Sequence, residues 1–169
     1  MPETEARLLM PQSPATNPRS TPRSASPAAG RGFTWKRGEF WTGCRSWSLG
    51  AESIELKWRG KTHHFGRRRV LGIVSEHWGI YQNTYGPPSH PFCVVHLRSG
   101  CAAGYFKRQK DAKAFAAFFH AAHPEYATTG TWGGLGMKAL GRRANPTARK
   151  GYERFNGYTP KRILTEKET

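Results

Sequence analysis

The order of apolar and polar positions along the middle of the chain predicts a series of short strands closed by a helix. Ile54, Leu56 and Trp58 alternate with Glu55 and Lys57, the period of two of a half-buried strand. Arg59-Gly60 reads as a tight turn, and residues 62–65 as the returning hairpin partner. Residues 70–74 and 78–82 are apolar runs of strand length. The stretch 83–91 carries Gly86, Pro87, Pro88 and Pro91 and must be a loop. Residues 92–97 are rich in β-branched and aromatic side chains, Ser99-Gly100 marks a second turn, and 102–106 make the last strand. Upstream, order is expected to begin between Phe33 and Trp41, with Trp41, Trp47 and Leu49 in a first strand ending at Gly50.

The period then changes. Between residues 109 and 122, Ala112, Phe115, Phe119 and Ala122 fall on one helical face, and Phe118 widens the stripe. Alanine raises the helical propensity, and His123-Pro124 ends the run. A stripe of phenylalanines needs an apolar surface to cover, and the strands supply it. The expected fold is α+β: a small antiparallel β-barrel or curved sheet of about seven strands, capped by one amphipathic helix, over residues 33–126. Residues 11–32 hold no large apolar side chain, so 1–32 is expected to be a disordered Pro/Ser/Arg-rich segment. Residues 127–169 read as a Gly-rich hinge and a basic tail. In that tail Asn145-Pro146 could start a short helix and Asn156-Gly157 end it.

Strands in hairpins followed by one helix resemble the pleckstrin-homology-like barrel of the small bacterial type. The likeness lies in the strand Ser53-Ile-Glu-Leu-Lys-Trp-Arg-Gly and the apolar strand Val70-Leu-Gly-Ile-Val. It also includes the ending Ala103-Gly-Tyr-Phe106 followed by Ala112 and Phe115. It covers about residues 36–123 and implies a fold. That fold serves lipid, peptide, protein and nucleic-acid contacts alike, so it names no binding residues.

Charge narrows the partner class. A length of 169 residues favours one domain, and the formal net charge is +16. The excess is +2 over residues 1–32, +8 over 33–126 and +6 over 127–169, so domain and tail share it. A pI near 10.4 predicts attraction to phosphate, on nucleic acid or an anionic membrane surface. Cys44, Cys93 and Cys101 form no CxxC pair, which suits the cytoplasm or another reducing compartment. No apolar run is long enough for a transmembrane helix, and the opening Met-Pro-Glu-Thr-Glu does not read as a targeting signal.

Catalytic chemistry finds little support. His63 and His64 are adjacent, and Cys93 and His96 lie an odd number apart, so each pair would point to opposite faces of a strand. His120 and His123 share a helix end, but no second pair follows at zinc-ligand spacing. Glu76-His77 is the one acid–base neighbour pair, and a strand would separate its side chains. Gly130 to Gly136 lacks the Gly-Lys-Ser/Thr ending of a phosphate loop. The chain therefore reads as non-enzymatic, with no catalytic residue, metal or cofactor implied. Its candidate sites are basic. Arg67, Arg68 and Arg69 are expected in a turn before a strand. Lys107, Arg108, Lys110 and Lys113 gather at the helix start, where cations and free N–H groups suit an anion. Arg142, Arg143, Arg149, Lys150 and Arg154 lie in the tail, interleaved with Tyr152, Phe155 and Tyr158. Those aromatics either stack on bases or dock the tail on the domain. The expected function is association with DNA or RNA through phosphate contacts. A peripheral membrane module inserting Trp78 or Trp132, and a module docking an acidic protein, are the alternatives.

Overall fold

The computed structural model describes residues 33–44 and 48–159. The expected N-terminal segment, Trp47 and the tail from residue 160 onward lie outside the described residues. Among the described residues six strands form one antiparallel sheet: β1 (Lys36–Cys44), β2 (Glu52–Trp58), β3 (Lys61–Val74), β4 (Trp78–Gln82), β5 (Phe92–His96) and β6 (Cys101–Phe106). Their order is β1-β3-β4-β5-β6, with β2 paired to β3 off that path. Two helices follow, α1 (Gln109–Ala122) and α2 (Lys138–Arg154), joined through 3-10 turns at Pro124–Thr128 and Trp132–Gly134. The fold is α+β, a curved sheet covered by helix.

Six strands replace about seven because the two expected pieces at 62–65 and 70–74 run as one 14-residue strand. β1 pairs with its second part, from Val74 back to Gly66, and β2 with its first, from Arg67 to Lys61. Arg67, Arg68 and Arg69 are therefore inside a paired strand, not in a turn. The β2–β3 hairpin turns at Arg59-Gly60, where both φ angles are positive (53° and 77°), the handedness that matches strand twist. The first strand is earlier than expected: β1 ends at Cys44, and Leu49 sits in a turn with 85% of its surface exposed.

Alternation sorts the sheet into two faces. Trp78, Ile80, Val94 and Phe106 point toward the helices and meet Ala112, Phe115, Ala116, Phe119 and Ala144. Phe40, Tyr81, Cys93 and Val95 form a second cluster on the other face, with Val70, Val74, Leu97 and Tyr105 against it. The sheet curls around this second cluster. At the far end of β1 the Gly43 N–H donates to the Gly100 carbonyl across 2.7 Å, bringing β1 onto the β5–β6 turn.

α2 is longer than the short helix anticipated in the tail, and Pro146 lies inside it instead of opening it. An interior proline removes a hydrogen bond and costs about 3 kcal/mol, so side-chain packing must hold the first turns. Leu140, Ala144 and Gly151 are buried, and Tyr152 packs on Phe115 and Phe106. The helix ends where expected: the Phe155 N–H bonds the Gly151 carbonyl and Asn156 takes a left-handed φ of 59°.

Candidate anion-binding site

The basic residues separate into groups with different surroundings. At the start of α1, Lys107, Arg108 and Lys110 are exposed and Lys113 is half-buried. Arg108 donates through Nε to Asp111 Oδ2 at 3.1 Å. Asp111 is only 8% exposed and lies in the first helical turn. A carboxylate of the chain's own thus occupies the position where an anion would meet the helix dipole, and it ties up the nearest cation. Burial, and then the Lys107 charge, hold the His90 imidazole below its ordinary value.

The arginine run of β3 alternates across the sheet. Arg67 and Arg69 flank the outer side, where both guanidiniums lie over the Trp41 ring, 4.1 and 4.8 Å from its centroid. Each has an acid partner: Arg67 pairs with Glu52 at 2.6 Å and Arg69 with Glu39 at 3.3 Å. Arg68 points the other way, toward the curled interior. Its guanidinium lies 4.8 Å from the Tyr85 ring and 5.9 Å from the Tyr81 ring. Among the described residues no carboxylate forms an ion pair with it.

Arg68 stands on the wall of a cleft of about 580 Å³. Gly43 and Cys44 of β1, Ser48 and Leu49, Tyr81 of β4, Asn83 and Tyr85 of the following loop, and Tyr105 of β6 complete the lining. The cleft opens at the edge of the inner apolar cluster, since Tyr81 and Tyr105 belong to both. Burial is the main cause that raises the Tyr81 hydroxyl to about 12, and it also raises Tyr105 and the Cys44 thiol. These groups are neutral at ordinary pH, so Arg68 is the fixed charge of the lining.

The third group lies on α2. Lys138, Arg142, Arg143, Arg149, Lys150 and Arg154 are all exposed, against one acid, Glu153. At about 100° per residue the six cations fall within roughly 160° of arc, opposite the buried Leu140, Ala144 and Gly151. Among the described residues none of the six forms an ion pair. Arg154 alone is drawn onto aromatic rings, over Phe118 and Phe155 at 5.5 and 5.3 Å.

The tail aromatics dock. The Tyr152 hydroxyl donates to the Ala103 carbonyl at 2.6 Å, and burial raises it to about 12. Phe155 meets Phe118 edge to face. The Tyr158 N–H bonds the Tyr105 carbonyl and its ring packs on His90. Tyr152 and Phe155 are spent in packing, so stacking on bases is left to other rings.

Histidines cluster around the helix-side core. His77 and His120 stack at 5.7 Å, and Glu76 lies 3.7 Å from His77 because both sit in the β3–β4 turn, where adjacency does not separate them as a strand would. His96 is buried between Trp78 and Tyr126, with Nδ1 2.8 Å from Ser99 Oγ and Nε2 3.4 Å from the Ala127 carbonyl. Among the described residues no group of three His, Cys, Asp or Glu is placed to hold a metal ion.

Sequence reasoning missed the cleft, because its lining comes from five separate segments. One signal was available: had the arginine run been placed on a strand, alternation alone would have set Arg68 apart from its neighbours. No family model, curated protein or solved structure matches this chain.

Proposed function

We propose that this protein is a non-enzymatic nucleic-acid-associated protein that holds the phosphate backbone on the exposed arc of α2. The observation that carries this reading is the set of six cations on one helical arc with no ion-pair partner among the described residues. Isolated surface lysines and arginines usually splay into water, and intramolecular pairing lowers their value to a ligand. Here the opposite arc is docked into the core, so the cations project from a fixed helix and no folding of that segment opposes binding. Arg67, Arg69 and Arg108 already have acid partners and contribute less.

Two observations favour nucleic acid over a membrane surface. Trp78 is fully buried, and Trp132 is half-buried beside Gly100, so neither ring is free to insert. The apolar face of α2 is consumed by docking, whereas an interfacial helix needs that face for lipid.

The test is fluorescence anisotropy of the full chain with labelled single-stranded DNA, duplex DNA and RNA across a salt series. Affinity should fall steeply as salt rises. Arg142→Gln, Arg149→Gln and Lys150→Gln combined should flatten the log–log slope by about one per contacting side chain removed. A flat salt response of the unaltered protein overturns the proposal. Sedimentation with anionic vesicles in the absence of strand binding turns it to the membrane reading. Capture of an acidic protein that survives nuclease, again without strand binding, turns it to a protein partner.

A further inference from the structure

We propose that the cleft around Arg68 is a binding site for a single nucleotide unit, a phosphate carried beside a planar base. This rests on the nucleic-acid reading for the class of ligand and on separate geometry for the site.

Arg68 is the starting point. A guanidinium is charged at every accessible pH and has five donors and no acceptor. Arg67 and Arg69, on either side of it, each meet a glutamate on the outer face. Arg68 is turned instead toward the inner cluster of Phe40, Tyr81, Cys93 and Val95, and in register it faces Thr42, which is itself buried. A half-buried charge beside apolar side chains is costly unless an anion pairs with it. The described residues place none there, which makes the cleft complementary to an anion brought in from outside.

The surroundings specify more than an anion. Tyr85 lies over the guanidinium yet is 65% exposed, so one face of its ring remains free. Leu49 is exposed on the same cleft and offers an apolar edge. Asn83 accepts the Tyr85 N–H through Oδ1 at 2.8 Å, which fixes the loop and leaves its amide donors directed elsewhere. A charge, an open aromatic face and an amide within one cleft suit a phosphate joined to a stackable base. A volume of about 580 Å³ is too roomy for a bare phosphate and falls within the range of small-molecule sites. The source of the nucleotide is either a free mononucleotide or an unstacked unit of a strand, and both present the same chemistry.

Calorimetric titration of the full chain tests the site. The probes are a nucleoside 5′-monophosphate, inorganic phosphate, and a short single strand with and without a 5′-phosphate. The proteins are the unaltered chain, Arg68→Gln, Tyr85→Ala, and the α2 variant Arg149→Gln/Lys150→Gln. The mononucleotide is expected to bind more tightly than inorganic phosphate, to lose at least tenfold in affinity in Arg68→Gln and in Tyr85→Ala, and to lose less in the α2 variant than in either of these. Tyr85 is an exposed loop residue, so its variant reads the site even if Arg68→Gln disturbs the sheet. Mononucleotide affinity in both cleft variants equal to that of the unaltered chain, or no mononucleotide binding while strands bind, overturns the cleft proposal and leaves the α2 reading standing. Mononucleotide binding that depends on Arg68, with no strand binding, upholds the cleft and overturns the α2 reading. A strand that binds more tightly with its 5′-phosphate, only while Arg68 is present, identifies strand ends as the source.

Discussion

His96 shows how a single residue ties stability to pH. Its Nε2 lies against the Ala127 carbonyl and its Nδ1 against Ser99 Oγ, while Ser99 Oγ also accepts the Cys101 N–H. Burial favours the neutral ring, and because the Ala127 carbonyl can only accept, the proton then sits on Nε2 and Nδ1 accepts from Ser99. Burial is the largest cause that lowers the His96 imidazole from its ordinary 6.5, and burial lowers His90 and His120 in the same direction. A lowered value means that the unfolded chain takes up the proton first as pH falls. Stability is therefore complete above pH 6.5 and declines below it toward the folded-state value. Thermal melts between about pH 8 and pH 5 should show the midpoint falling on the acid side. His96→Gln should flatten that acid limb while lowering the midpoint at neutral pH. An acid limb unchanged by the substitution would locate the effect elsewhere.

Among the elements, α2 is held by close side-chain contacts. Gly151 faces α1, and a Cβ there would come within 2.6 Å of the Phe115 ring. Phe115 is fully buried and cannot retreat, so Gly151→Ala should destabilise by about 1–3 kcal/mol despite its better helical propensity. Urea unfolding gives the number, and faster limited proteolysis within 138–159 shows that α2 has loosened. Tyr152→Phe removes the donor to the Ala103 carbonyl and should cost about 1–3 kcal/mol, because a partly buried acceptor loses its partner. The same reasoning separates β3 from the sequence-based expectation. Gly66 and three arginines interrupt the apolar run and look like a turn, yet β1 and β2 together pair with the whole length of the strand. Pairing satisfied the backbone, and the three guanidiniums lie over aromatic rings, so local composition lost to the ladder.

At the scale of the whole molecule, charge and shape are distributed differently. The net charge of +16 was legible from composition. The curled sheet, the helix-side core and the α1 stripe of Phe115 and Phe119 were likewise legible, because periods of two and 3.6 are written directly in the apolar positions. If α2 is the phosphate-binding surface, neutralising Arg67 and Arg69 should change strand affinity less than neutralising Arg149 and Lys150, as competition binding at low salt would show. An equal loss would place the outer face of β3 in the interface as well. The sequence by itself determined the run of strands at 54–58, 78–82, 92–96 and 102–106, the helix at 109–122 and the excess of positive charge, since each depends on residues close together in the chain. Only the tertiary structure decided which cations are already paired, that Tyr152 and Phe155 dock the tail, and that Arg68 enters a tyrosine-lined cleft. Those outcomes depend on pairing register and on contacts between residues tens of positions apart, to which short-range periodicity carries no signal.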